Sequence, residues 1–384
     1  MILCIHNNKG VDKIYLTKKI RLKPTPEQEI KFRKSAGVAR FVYNFYLETE
    51  EKVFKEYLNN NSKIQYIPER QVIKYINNEL KPSIKWLREV GCNVIKQASK
   101  DADIAYQRYF KKIGGKPKFK SKKNTKLSFY VNYETLKKTQ KGFRGEKLGD
   151  IKASEQLPAL KEGHHYSNPR ISYDGKYWYL TIGYEVEPKN EILTNESLGI
   201  DLGVKDLAIC SNGKKYKNIN KSRTIKRLKR KLKREQRKLS RRRKDSKNAD
   251  KQRHKVKLIY RRITNIRNNY IHQITIEIVR TKPFRIVMED LNIQKMLKNK
   301  HLAKYIIEQN FYEFKRQIEY KCQLYGIKFV EVPRFYPSSK MCSCCGNIKK
   351  DLKLSDRIYY CDKCGIKIDR DLNASYNLAN YKII

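Results

Sequence analysis

No segment of this 384-residue chain comes near the roughly 18 consecutive apolar residues that a membrane-spanning helix needs, so that class drops out first. The opening residues, MILCIHNNKG, lack the block layout of a secretory signal, and the expected location is the cytoplasm. There is no internal repeat and no low-complexity linker. Histidine is scarce, and the adjacent pair His164-His165 falls in a loop-like segment without further ligands, so it is assigned nothing. Acidic residues are few: 39 Asp and Glu stand against 87 Lys and Arg, a net charge of +48. A charge of that size calls for a polyanion, and nucleic acid is the expected partner. Ribosomal proteins are usually smaller, and a membrane-surface binder would need an amphipathic anchor that is not present. The length suffices for two or three domains with their own cores.

Cysteine, by contrast, is plentiful, with nine in the chain. In a reducing compartment that favours metal ligation over disulfides. Cys342 and Cys345 form one C-x₂-C pair and Cys361 and Cys364 another, with fifteen residues between the pairs. This is the spacing of a four-thiolate zinc site, in which two tight knuckles close a tetrahedron. All four positions are filled, so the expected role is structural. Cys344 breaks the spacing and is left out. Cys4, Cys92, Cys210 and Cys322 are scattered singly and read as small hydrophobes.

Read in order, residues 13–22 alternate as a half-buried strand. Thr25, Pro26 and Gln28 suit the N-cap, first turn and capping-box partner of a helix. Its pattern runs through Val38, Phe41, Val42, Phe45 and Tyr46. Further helices are expected at about 50–59, 67–80 and 93–111, a small helical domain inserted after one strand. Residues 128–187 look like strands, with a hairpin of 171–173 and 176–186 about Asp174-Gly175. They are expected to form one β-domain with the first strand.

A new unit begins at 198–212 (LGIDLGVKDLAICSN), where Leu198, Ile200 and Leu202 alternate around Asp201. Residues 221–257 hold 20 Lys and Arg and only 3 acids. Ile225, Leu228, Leu232 and Leu239 keep a helical stripe through this run. A second stripe of Ile259, Ile263, Ile266, Tyr270, Ile274 and Ile278 answers it. The expectation is a long helical hairpin, apolar inside and cationic outside, poised for phosphate. Residues 284–291 form a short strand ending in Glu289-Asp290, 305–325 a helix, 326–332 a strand, and a last helix starts near Asn373.

Three carboxylates thus stand at strand ends or a helix start: Asp201, Glu289 and one of Asp369 or Asp371. Geometry alone does not choose between the last two. Asp371 leads directly into the helix, while Asp369 suits ordering the segment or pairing with Arg370 or a lysine. Carboxylates gathered without His or Cys favour hard cations, Mg²⁺ or Mn²⁺. Inside so basic a protein they would repel DNA unless metal neutralised them. This predicts a metal-dependent nuclease or strand-transferase on an RNase H-like α/β fold, with two ions activating water and stabilising the leaving oxygen.

At the same residues the chain resembles the TnpB family. GIDLGVKDLA, VMEDLN, PSSKMCSCCG, CDKCG and DRDLNAS, in that order, resemble its RuvC-like and zinc-finger signature. LKPTPEQEIKFRKSAGVARFVYNFYL resembles its N-terminal region, so the likeness spans about residues 13–380. The resemblance implies a transposon-encoded, RNA-guided DNA endonuclease related to compact type V CRISPR effectors. It implies binding of a guide RNA from the transposon end, one protein per guide. It also implies cutting of double-stranded DNA beside a short transposon-adjacent motif.

Carried over by residue, the metal-binding acids are Asp201, Glu289 and Asp371, and the zinc ligands Cys342, Cys345, Cys361 and Cys364. The helix near Cys92, Lys96 and Gln97 matches the stretch that contacts the motif. The implied domains are a wedge-like β-barrel (1–23 and 113–190), a helical recognition domain (24–112), a RuvC-like nuclease domain (191–336 and 366–384) with the basic hairpin at 221–280, and a zinc finger (337–365). The competing readings are an RNA-guided or direct nucleic-acid-binding regulator that does not cut, and a guide-independent transposase. Some family members have lost nuclease acids; all three are present here, which disfavours the regulator.

Overall fold

The computed structural model describes residues 14–60, 67–123, 125–189, 191–353 and 356–382; Cys4 lies outside them. The chain divides into two compact units, Met1–Val186 and Glu187–Ile384. Among the described residues no helix is long and apolar enough to cross a membrane.

The first unit opens with β1 (Ile14–Lys23), which buries Ile14, Ile20 and Leu22. A reciprocal cap then starts a helix: Gln28 N donates to Thr25 Oγ1 at 3.3 Å, and Thr25 N to Gln28 Oε1 at 3.0 Å. The helix α1 (Pro26–Asn60) runs 35 residues without a break. The separate helix expected over 50–59 is therefore its far end. No Gly or Pro stands in the intervening LETEEK to interrupt it. After α2 (Glu69–Tyr75) the backbone widens into a π-turn at Ile76–Leu80, then α3 (Lys81–Ser83) and α4 (Cys92–Phe110) complete the helical part.

Strands β2 (Ser128–Tyr130), β3 (Lys137–Thr139), β4 (Gly142–Gly145), β5 (Gly149–Ala153), β6 (Ser167–Tyr173) and β7 (Trp178–Val186) join β1 in one antiparallel sheet, ordered β2-β6-β7-β1-β5-β4-β3. β1 pairs with β7 from Ile14 to Arg21 and with β5 at Leu22 and Lys23, so it links the two halves of the sheet. The hairpin turn is longer than expected, and β7 starts at Trp178 rather than Lys176. Asp174 Oδ1 accepts from Lys176 N and Tyr177 N, both at 2.9 Å, which holds 174–177 out of the ladder. Phe32 of α1 meets Trp178 edge-on with ring centroids 5.1 Å apart, locking helix to sheet.

The second unit has a sheet of β8 (Thr194–Leu202), β9 (Asp206–Cys210), β10 (Lys215–Lys217), β11 (Pro283–Glu289) and β12 (Lys328–Val332), ordered β10-β9-β8-β11-β12. The first three are antiparallel; β11 lies parallel to both β8 and β12. The basic run forms α5 (Arg223–Ser240) and α6 (Lys247–Arg280), each capped by a serine. Leu228, Ile259 and Ile263, with Leu232 and Ile266, pack between them. The rest of the expected stripe does not answer α5: Ile274 and Ile278 join the core under the sheet. The long helix α6 thus roots the hairpin in the domain. Near the far end of the hairpin Gln252 donates to the buried Glu235 carboxylate at 2.7 Å and to its carbonyl at 3.0 Å, a polar clasp that periodicity does not reveal.

The single helix expected over 305–325 is two, after a short α7 (Ile293–Leu297): α8 (Lys300–Gln309) and α9 (Phe311–Tyr325). Asn310 separates them at φ +56°, a left-handed backbone that asparagine tolerates better than most residues. A two-stranded ribbon of β13 (Ile358–Tyr360) and β14 (Lys367–Asp369) leads into α10 (Arg370–Ala379). This helix begins ahead of Asn373 because Asp369 caps it.

Candidate active site and metal centre

The parallel register pairs Ile200 with Met288, so Asp201 and Glu289 follow as neighbours at the C-terminal ends of β8 and β11. Open α/β sheets bind their ligands at such ends. The third acid arrives on α10, which lies flush on β8. A Cβ at Gly199 would stand 2.0 Å from Ser375 O and 2.5 Å from Ala379 N, so only glycine permits this approach. Ser197 Oγ donates to Ala379 O at 2.6 Å, and Arg285 grips the same carbonyl at 2.8 Å.

Burial pushes the Asp201 carboxyl well above its ordinary range, and the charges of Glu289 and Asp371 push it further; Arg370 and the Leu202 amide oppose them. Burial also raises Glu289, against a hydrogen bond from Ser338 Oγ. A buried carboxyl whose charge is opposed by two neighbouring acids makes, with them, a donor set suited to a hard cation. Their oxygens are not gathered as tightly as the thiols described below. Arg370 stands among them, its Nη2 at 3.3 Å from Asp371 Oδ1.

Asp369 has different work. Its Oδ1 accepts from Asp371 N at 3.0 Å and Leu372 N at 3.2 Å, and its Oδ2 pairs with Lys215 Nζ at 3.0 Å. Burial alone would raise it, but Lys215 and the two amides outweigh burial and hold it below the usual carboxylate range. Asp369 is a helix cap tied to β10, and Asp371 is the acid that Asp201 feels.

The four cysteines Cys342, Cys345, Cys361 and Cys364 have sulfurs all within 4.8 Å of one another. Cys342 Sγ lies 3.6 Å from Cys364 Sγ, and Cys345 Sγ 3.5 Å from Cys361 Sγ. A tetrahedron with Zn–S near 2.3 Å has sulfurs about 3.8 Å apart, so the set fits structural zinc. Each knuckle closes the same way. Gly346 N donates to Cys342 O at 3.0 Å and Gly365 N to Cys361 O at 2.9 Å, with both glycines at positive φ. Backbone amides of Cys364 and Lys363 pull the Cys361 thiol down, while burial and the neighbouring sulfurs push Cys345 and Cys364 up, as expected of crowded thiols. Cys344 is exposed and outside the group.

Two buried asparagines join this clamp to the acids, neither of them assigned a role from the sequence. Asn373 Nδ2 donates to Met341 O at 2.7 Å and its Oδ1 accepts from Ser343 N at 2.9 Å. Asn377 Nδ2 donates to Ser338 O at 2.7 Å and Met341 O at 2.6 Å. Ser338 in turn bonds Glu289. The trace in the sequence is a pair of asparagines four apart, on one face of the last helix.

The cationic face of the hairpin is exposed, with Arg227, Arg230, Lys231, Lys233, Arg234 and Arg237 open to solvent. Replacing these with Gln is expected to flatten the slope of log affinity against log salt, by about 0.9 for each phosphate of duplex DNA that is no longer neutralised. A titration across salt concentrations with an unchanged slope would mean that this face meets only water. On α4, Cys92 and Lys96 are exposed, while Gln97 donates to Asp101 Oδ1 at 2.9 Å.

Three family models match. Residues 311–378 match one described as "Cas12f1-like, TNB domain", 181–300 one described as "Probable transposase", and 14–58 one described as "Helix-turn-helix domain". In this chain 14–58 form a strand and most of one long helix, not two helices about a turn. A Streptomyces pristinaespiralis protein, named as an RNA-guided DNA endonuclease, is 31% identical over 372 residues, covering 94% of this chain and 87% of its own length. InsQ of Escherichia coli K12, named likewise, is 28% identical over 379 residues, covering 94% and 90%. A solved Cas12f1 structure, titled as a complex with single-guide RNA and target DNA, superposes with a TM-score of 0.58 at 15% identity, covering 96% of this chain and 99% of the other. At that identity the likeness establishes a compact α/β fold of the Cas12f kind.

Proposed function

The chain belongs to the TnpB family of RNA-guided DNA endonucleases, and on that premise we propose that it binds a guide RNA from its transposon's end and cuts double-stranded DNA beside a short adjacent motif. The observation that carries the catalytic part is the register that sets Asp201 beside Glu289 at the ends of two parallel strands, with Asp371 in the first turn of the helix packed on β8. The strand order β10-β9-β8-β11-β12, antiparallel then parallel, supports an RNase H-like core of the RuvC type. The sheet in which β1 joins β2–β7, with α1–α4 between, supports the wedge-like barrel (1–23 and 113–190) and the recognition insert (24–112). The nuclease domain takes 191–336 and 366–384, and the zinc finger 337–365.

Asp201, Glu289 and Asp371 would hold Mg²⁺, which supplies an activated water and neutralises charge on the leaving oxygen. The chain's own residues arrange that set. Ser338 fixes the Glu289 carboxylate, Asp369 caps α10 so that Asp371 sits in its first turn, and Gly199 lets α10 lie on β8. Zinc held by the four cysteines would anchor the segment in which the Ser338 and Met341 carbonyls accept from Asn377.

RNA that co-purifies with the expressed protein, sequenced, tests the guided part. One dominant species ending in a variable segment is the expected result. A random sample of cellular RNA would contradict it. A defined RNA on a protein that never cuts would point to a regulator.

A further inference from the structure

Beside the acids, a cavity of about 180 Å³ lies between Leu202, Met288 and Glu289 on one side and Tyr312, Lys315 and Arg316 of α9 on the other. Of the residues that line it, Glu289 alone has a role assigned above. Tyr312 is 67% exposed, whereas its α9 neighbours Phe311 and Phe314 are buried at 3% and 0%. The core therefore uses Phe311 and Phe314, and the Tyr312 ring stands free of it. Arg316 gives Nε and Nη2 to Glu313 at 2.9 and 2.7 Å, while its Nη1 is buried without a hydrogen-bond partner. A buried donor left unmade costs stability and signals an acceptor still to come. Lys315, paired with Glu331, adds a second cation to the same wall.

An aromatic face, an unmatched guanidinium donor and a lysine, opposite a wall that carries Glu289, fit one nucleotide better than any other ligand this basic chain would meet. The base stacks on the ring, and the phosphate takes the guanidinium after a small rotation. A cavity of about 180 Å³ has room for one base rather than a base pair. We infer that Tyr312 and Arg316 form a positioning site for one unstacked nucleotide of the DNA strand being cut, holding it in register with Glu289. This rests on the nuclease reading above, and the test separates the two.

The probe is a single-stranded deoxyoligonucleotide carrying 5-iodouracil, crosslinked by light to the RNA-loaded Asp201→Ala chain in calcium and mapped by mass spectrometry. A crosslink on Tyr312 is expected, lost in Tyr312→Ala. In the otherwise unaltered chain, Tyr312→Ala should slow cleavage by about tenfold or more, the effect of removing one base–ring stack, while Tyr312→Phe restores it. The thermal midpoint should stay put, because the ring is outside the core. Crosslinks that avoid α9, or a Tyr312→Ala enzyme cutting at the full rate, would overturn the inference. If the unaltered chain does not cut at all, the nuclease reading fails, and the crosslink still decides this site.

Discussion

Asp201→Ala, Glu289→Ala and Asp371→Ala are each expected to abolish Mg²⁺-dependent cleavage, by about a thousandfold or more, while guide-RNA binding stays near that of the unaltered chain. Residues that act as one catalytic set lose nearly everything when one is removed. The fold should tolerate each change. Burial, Glu289 and Asp371 all act against the charge on Asp201, so removing that carboxyl or either neighbour relieves it. DNA binding in calcium should tighten slightly, since a negative charge leaves the neighbourhood of phosphate. Asp369→Ala is the contrast: it loses a helix cap and the Lys215 pair, and should keep measurable cleavage with a lower thermal midpoint. Cleavage of a guide-matched plasmid by the four variants, beside RNA binding, reads all of this. Full activity in Asp371→Ala with loss in Asp369→Ala would mean that the wrong carboxylate is assigned.

Removing zinc is expected to disable the enzyme as thoroughly, by a different route. A structural four-thiolate site contributes about 10–16 kcal/mol of apparent binding free energy in small zinc domains, which here holds the knuckles and the ribbon of β13 and β14. Without it Met341 and Ser338 lose their fixed positions, Asn373 and Asn377 are left buried and unpaired, and Ser338 no longer steadies Glu289. Cys361→Ser should lower zinc well below one ion per chain, reduce the thermal midpoint and remove cleavage. Cys344→Ser should change none of these, because Cys344 is outside the cluster. Elemental analysis of the purified chain checks the first step. A zinc-free protein with full activity would rule out the clamp.

The parts of this arrangement legible from sequence are those set by local chemistry. Cysteine spacing names the clamp because a knuckle needs its ligands three apart. Asp201 and Glu289 show because short apolar strands carry them to an edge. The reciprocal cap of Thr25 and Gln28 shows because it is written within four residues. Other features depend on distant partners. That Lys215 engages Asp369 rather than Asp371 depends on a partner over 150 residues away in sequence. Asn373 and Asn377 look like ordinary helix residues until the clamp supplies carbonyls for them. The α6 stripe reads as the mate of α5 along its length, but its second half meets a sheet assembled from β8–β12. Asn310 divides a continuous helical pattern because one backbone angle changes sign, which periodicity does not register.

The chain is expected to cut DNA chosen by the RNA it carries. The most direct measurement takes the co-purified RNA, replaces its variable segment with a chosen sequence, and offers the complex a supercoiled plasmid library bearing that sequence beside randomised flanks. Mg²⁺-dependent linearisation is predicted only for plasmids with the matching sequence and one short flanking motif, and is predicted to be absent with Asp201→Ala. Cutting that ignores the match, or no cutting of any matched plasmid by a zinc-loaded, RNA-loaded chain, would contradict it.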